Sequence, residues 1–204
     1  MAVSRSRKSD GKRDSIVHAA TGVINAKGFA RATMSEIAAS LNLRDATLYY
    51  YYPNKVALAY ACHCRSFERF EKLLKHAEDA EGTGAARMRC LIRRVLEDQF
   101  ENGPQLYFGD YSYLGDEQRR KITQWADRLK GMLEHILKDG IRDGSIVPCD
   151  TRIAAQLIIG MVIWLAKWIP AVEGLTVESL EGTIVTMMLG GLEANPAAAR
   201  AAAG

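Results

Sequence analysis

Residues 33–55 read TMSEIAASLNLRDATLYYYYPNK. The first four, Thr33, Met34, Ser35 and Glu36, have the pattern of a capping box. In that motif a threonine hydroxyl takes the third backbone N–H of a helix and a glutamate reaches back to the cap. The helix so opened carries Ile37, Ala38 and Leu41 inward and stops at Asn42, a residue that tolerates the left-handed conformation of a tight turn. Leu43 plugs the turn. A second short helix is predicted from about Asp45 to Tyr51, because Pro53 disfavours helix at Tyr52. Two short helices joined by so brief a turn make a helix-turn-helix. Four consecutive tyrosines, Tyr49 to Tyr52, close it. Helical neighbours point about 100° apart, so some rings face a core and others face something else.

Upstream, Ile16, Ala20, Val23 and Ile24 recur at helical spacing, predicting a helix from about Lys12 to Lys27 with Gly28 as its stop and Phe29 folded back into the core. Residues 1–11 read as a disordered basic arm, and residues 12–55 as the first domain. Downstream, long amphipathic segments are expected over about 55–81, 85–102, 105–114, 116–143, 151–168 and 176–192, punctuated by EGTGA, Gly103-Pro104, Gly115 and Gly144. Asp150 or Thr151 and then Thr176 are the predicted caps of the last two. The fold class is therefore all-α, with about nine helices in two domains, 12–55 and 56–194, and a disordered tail at 195–204.

Composition narrows the function. Nearly half the chain is apolar and a quarter charged, as in an ordinary globular protein. Residues 1–55 hold nine Lys/Arg and four Asp/Glu, a net +5, whereas residues 56–204 hold eighteen and twenty, a net −2. A basic head on a slightly acidic body suits a polyanionic partner. The N-terminus has no apolar secretory core, and a cytoplasmic location with reduced cysteines is expected. IAAQLIIGMVIWLAKWIPAV, residues 153–172, is interrupted by Gln156, Lys167 and Pro170; its clean run is short of the roughly 20 residues a span needs, so no membrane role is expected. Cys62-His63-Cys64 cannot close a tetrahedral metal site alone, since residues two apart on a helix do not share a face. No metal or cofactor is expected. Nor does a phosphate loop, serine nucleophile elbow or metal-spaced histidine pair appear, which argues against an enzyme.

The stretch RDSIVHAATGVINAKGFARATMSEIAASLNLRDATLYYYYPNKVAL resembles the DNA-binding domain of the TetR family of bacterial transcriptional regulators. The likeness lies in the ordered combination of an apolar first helix, Gly-Phe, Thr-x-x-Glu-Ile-Ala, the turn, Thr-Leu-Tyr-Tyr and a lysine opening the fourth helix. It implies a repressor that binds a palindromic double-stranded operator as a homodimer and is released by a small molecule. Arg44 can grip guanine O6/N7 or a phosphate, Thr47 a base edge or thymine methyl, and Thr33 a phosphate at a helix N-terminus. By the resemblance Tyr49 and Tyr50 face DNA, Tyr51 sits at the groove edge, Tyr52 fills the core with its hydroxyl at the rim, and Lys55 is a phosphate clamp. Asn42 replaces the more usual turn glycine, and Asp45 puts a negative charge where many relatives are neutral or basic; capping the recognition helix is its expected role.

The body is expected to hold the effector and the dimer seam. Ala154, Leu157, Gly160 and Met161 on one helix, and Leu180, Ile184, Met187 and Met188 on the next, make apolar stripes with small gaps suited to a four-helix bundle between subunits. Phe67, Phe70, Met88, Leu91, Val95, Phe108, Tyr111, Trp125, Leu129, Met132 and Trp164 are the candidate pocket lining. Their Met and aromatic content fits a hydrophobic or aromatic effector, including an acid or acyl thioester, with Arg93, Arg94 or His135 as partners for a carboxylate. The alternatives are an effector-independent architectural DNA-binding protein or a helical enzyme.

Overall fold

The computed structural model describes residues 2–106 and 111–190, with side chains from Gly11 onward. Eight α-helices run through them: α1 Ala2–Arg31, α2 Met34–Ser40, α3 Asp45–Tyr51, α4 Lys55–Glu78, α5 Gly84–Asn102, α6 Asp116–Arg142, α7 Thr151–Trp168 and α8 Val177–Met188, with a 3-10 turn at Ile169–Ala171. The chain forms two compact units: Met1–Glu68 with Gly103–Gln124, and Arg69–Asn102 with Trp125–Gly204.

The first unit is larger than the expected 12–55. It extends along α4 and takes in the connection between α5 and α6. Its core is Ile16, Val17, Ala20 and Ile24 of α1, Ile37 and Ala38 of α2, Leu48 of α3, and Leu58, Ala59 and Cys62 of α4, joined by Leu106. The arm expected to be disordered is helical backbone from Ala2 onward. Gly28, at φ 78° and ψ 158°, breaks the helical geometry where the sequence places a stop.

One expected helix, 105–114, is absent from its described residues. Gly103–Leu106 is irregular and a turn follows at 112–113, while 107–110, with Phe108, lie outside the described residues. The reason lies in where the backbone groups are spent. The Gln105 carbonyl accepts from Asn25 Nδ2 at 2.8 Å, and the Leu106 N–H donates to Ser66 Oγ at 2.8 Å. At the far end Tyr113 stacks on Phe29, centroids 3.6 Å apart, and its hydroxyl meets His63 Nε2 at 2.7 Å. Tertiary partners replace the helical ladder.

In the second unit α5 packs on α7 and α8. Its N-terminus is closed by the turn after α6: the Gly84 N–H donates to Asp143 Oδ2 at 2.8 Å and the Ala85 N–H to Ser145 Oγ at 3.1 Å. A Cβ at Gly84 would lie 2.3 Å from the Gly140 Cα, so backbones touch here. Arg69 grips Asp98 with Nη2–Oδ2 at 2.6 Å and Nε–Oδ2 at 3.1 Å, and Arg93 reaches Glu181 at 3.0 Å. Asp150 and Thr176 cap α7 and α8 as the sequence indicates. The length argument against a membrane span does not hold: Thr151–Ala171 is long and apolar enough to cross a bilayer by length and composition. Ile153, Leu157 and Trp164 on it are exposed.

Candidate nucleic-acid interface

The capping box predicted from four residues is present. Thr33 Oγ1 accepts from the Glu36 N–H at 3.2 Å, and the Thr33 N–H donates to Glu36 Oε2 at 3.2 Å. Glu36 also pairs with Lys27 Nζ at 2.6 Å, and that bond, ahead of the Thr33 backbone, holds its carboxyl below the usual range. The Thr33 hydroxyl is left with a proton to donate, at an exposed position. At the turn Asn42 has φ 52°, the left-handed conformation its identity suggests. The Leu43 N–H returns to the Ala38 carbonyl at 2.9 Å, fixing the direction in which α3 leaves.

The N-cap of α3 is Arg44, whose side chain makes no capping bond. This corrects the role expected of Asp45, which is the first helical residue. Its carboxylate accepts from the Ser35 hydroxyl instead, tying the start of α2 to the start of α3. An acid in the first turn still suits the helix dipole. Arg44 is exposed, and no hydrogen bond or ion pair engages its guanidinium among the described residues. Thr47 is half-buried.

The four tyrosines separate by burial. Leu48 is fully buried, and the rings after it turn outward: Tyr49 is 49% and Tyr50 83% exposed. Tyr51 is half-buried, edge-on to Tyr50 at 5.3 Å, and Tyr52 is buried. Burial pushes the Tyr52 phenol pKa up, with Arg13 opposing. The Arg13 guanidinium lies 5.7 Å from the Tyr51 centroid and 5.8 Å from that of Tyr52, so α1 braces the end of α3. Sequence reasoning missed this brace, and also the Ser35–Asp45 and Lys27–Glu36 links, because none follows a helical spacing. Lys55, expected to clamp a phosphate, gives its ammonium to the carbonyls of Phe29, Ala30 and Ala32.

The residues named for an effector pocket do not all fall in one unit. Phe67 and Tyr111 belong to the first; Phe70, Met88, Leu91, Val95, Trp125, Leu129, Met132 and Trp164 belong to the second. Phe70, Met88, Leu91, Val95 and Leu129 are buried, whereas Trp164 is 53% exposed. Trp125 Nε1 donates to Glu71 at 2.9 Å, and burial pushes the Tyr111 phenol to about 12. The cations considered for an effector carboxylate already have partners: Arg93 has Glu97 and Glu181, Arg94 has Glu97, and His135 lies 3.7 Å from Asp139. Cys62 is buried, its thiol pushed up to about 12 by desolvation, so it is no ready thiolate.

Of the residues named for a subunit seam, Leu157 and Met187 are 69% and 77% exposed. Gly160 is exposed, and Met161 and Met188 are half-buried. Ala154, Leu180 and Ile184 are buried within the protomer.

A helix-turn-helix whose second helix turns two tyrosines outward is the arrangement of a DNA-binding regulator. Comparison with known proteins agrees. Residues 16–62 match the bacterial regulatory proteins of the tetR family, and residues 81–192 match the tetracyclin repressor-like C-terminal domain. The chain belongs to the TetR family of transcriptional regulators. It is similar to the fatty acid metabolism regulator protein of Bacillus subtilis (strain 168), 23% identical over 189 residues, 87% of this chain and 93% of that one. It is also similar to the nucleoid occlusion factor SlmA of Vibrio campbellii (strain ATCC BAA-1116), 24% identical over 171 residues, 76% of this chain and 82% of that one. Among solved structures, AibR in complex with isovaleryl coenzyme A and operator DNA superposes with a TM-score of 0.72 at 25% identity, covering 87% of this chain and 97% of AibR.

Proposed function

We propose that the protein is a cytoplasmic repressor that binds a palindromic operator as a homodimer and leaves it when a small, largely hydrophobic acid or acyl thioester binds. The observation that carries the reading is the outward face of α3. Two tyrosines project from it while Leu48 anchors it, and the Arg44 guanidinium beside them is unengaged. Arg44 and Thr47 read base edges, and Thr33, Tyr49, Tyr50 and Tyr51 hold phosphates or sugars. One recognition helix reads too few base pairs to select a chromosomal site, so two copies act on half-sites about 34–36 Å apart. The exposed apolar residues Leu157 and Met187 support α7 and α8 as the faces that pair.

The acyl class of effector draws support from relatives: one is named for fatty acid metabolism and another was solved with isovaleryl coenzyme A. The effector prefers a conformation in which the two reading helices no longer match the operator, and linkage then makes each ligand weaken the other. Titrating coenzyme A thioesters of increasing chain length against protein bound to labelled operator tests this. One length range should release the DNA at micromolar concentration, and free coenzyme A should not. The alternative reading is an effector-independent architectural DNA-binding protein. That reading gains if no thioester or free acid changes operator affinity or thermal stability.

A further inference from the structure

Lys55 opens α4 at a half-buried position. Its Nζ donates to the carbonyls of Phe29 at 2.7 Å, Ala30 at 3.2 Å and Ala32 at 2.9 Å. An ammonium has three N–H groups, so all are spent. The acceptors are the Phe29 and Ala30 carbonyls in the short stretch of α1 past the Gly28 break and the Ala32 carbonyl just beyond its end, where helix-terminal carbonyls have no intrahelical donor. The same Nζ sits 4.4 Å from the Phe29 ring centroid. Tyr113 stacks on that ring at 3.6 Å and 6°, which fills one face and puts the ammonium over the other. Gly28 breaks α1, and beyond it the Ala32 N–H returns to the Gly28 carbonyl at 3.1 Å. Lys55, bonded to the carbonyls of Phe29, Ala30 and Ala32, adds three tethers that tie this stretch to the start of α4.

We propose that Lys55 is a positioning residue for operator reading and makes no contact with the DNA backbone. It sets the corner between α1 and α2, and through the Thr33 capping box and the Ser35–Asp45 link it sets the presentation of α3. A phosphate oxygen competing for this ammonium would have to strip it from carbonyls that have no other donor among the described residues. The inference rests on the DNA-binding reading above.

The test is operator affinity as a function of salt, by fluorescence anisotropy, for the parent, Lys55→Arg and Lys55→Met. Measurements are made well below each thermal midpoint, so that loss of folded protein does not imitate loss of binding. A residue that neutralises one phosphate contributes about 0.9 to the slope of log affinity against log salt. A positioning lysine contributes nothing to it. Lys55→Arg keeps the charge, but its planar fork cannot converge on three carbonyls. We expect it to bind at least about tenfold more weakly, with an unchanged slope. Lys55→Met should be weaker still, again with the parent slope. Arginine binding as tightly as the parent, or methionine flattening the slope by about 0.9, overturns the proposal. Should Lys55→Met fail to fold by circular dichroism, Lys55→Arg decides alone. A parent that binds no duplex in a salt-dependent manner would sink the DNA-binding reading instead.

Discussion

Among single residues, Tyr49 and Tyr50 carry the clearest division between stability and function. Both are exposed, so truncation removes little buried surface. Tyr49→Ala should leave the thermal midpoint unchanged and weaken operator binding about tenfold, the worth of one hydrogen bond to a charged group. Tyr52→Ala should do the reverse first, because that ring is buried against the core that holds Leu48. Helical geometry alone says only that the four rings cannot all face one way; which of them turn outward was what the family resemblance implied, and the exposure of Tyr49 and Tyr50 and burial of Tyr52 agree with it. The roles of Asp45 and Lys55 were not legible in the sequence. Both depend on partners, Ser35 and the carbonyls at the end of α1, that only the folded corner brings near.

For the elements, caps and turns were the most readable features. The Thr33 box, the left-handed Asn42 and the break at Gly28 are each a local conformational preference written in one or two residues. Thr33→Ala should cost about 1 kcal/mol in urea denaturation and also weaken DNA binding. The Asp150 cap of α7 has a pH signature. Its carboxylate is held by the Arg152 side chain at 2.7 Å and the Arg152 N–H at 3.0 Å, which lowers its pKa from 3.8 to about 2. A depressed folded value means the stabilisation is present above the ordinary pKa and lost as pH falls from 3.8 through about 2. In an acid titration followed by helicity, the gap between the parent and Asp150→Asn should therefore close across that window. The connection 103–115 was illegible for a physical reason: Gln105 and Leu106 spend their backbone groups on Asn25 and Ser66, far away in sequence. Gly84 was equally hidden, because its need for a hydrogen at Cα comes from Gly140. Gly84→Ala should lower stability by about 1–3 kcal/mol through forced separation of the two backbones.

At the scale of the whole molecule, the apolar stripes of α7 and α8 were visible in the sequence, but periodicity cannot say which residues a stripe spends on its own subunit. Ile184 is 8% exposed within the protomer, so a charge there should unfold it. Leu157 is 69% exposed, and Leu157→Glu should give helical monomers in sedimentation while the parent sediments as a dimer. An unchanged dimer would put the seam elsewhere. The monomer should also lose operator affinity without any change in the reading helix, because a single half-site discriminates poorly.

The most direct test of the central claim, that α3 reads duplex DNA as one of a symmetric pair, is selection of bound fragments from a random duplex pool. The enriched sequences should be inverted repeats with half-sites about 34–36 Å apart, and Tyr49→Ala should bind them more weakly. Recovery of no common sequence, or of fragments that Tyr49→Ala binds as tightly as the parent, would contradict it.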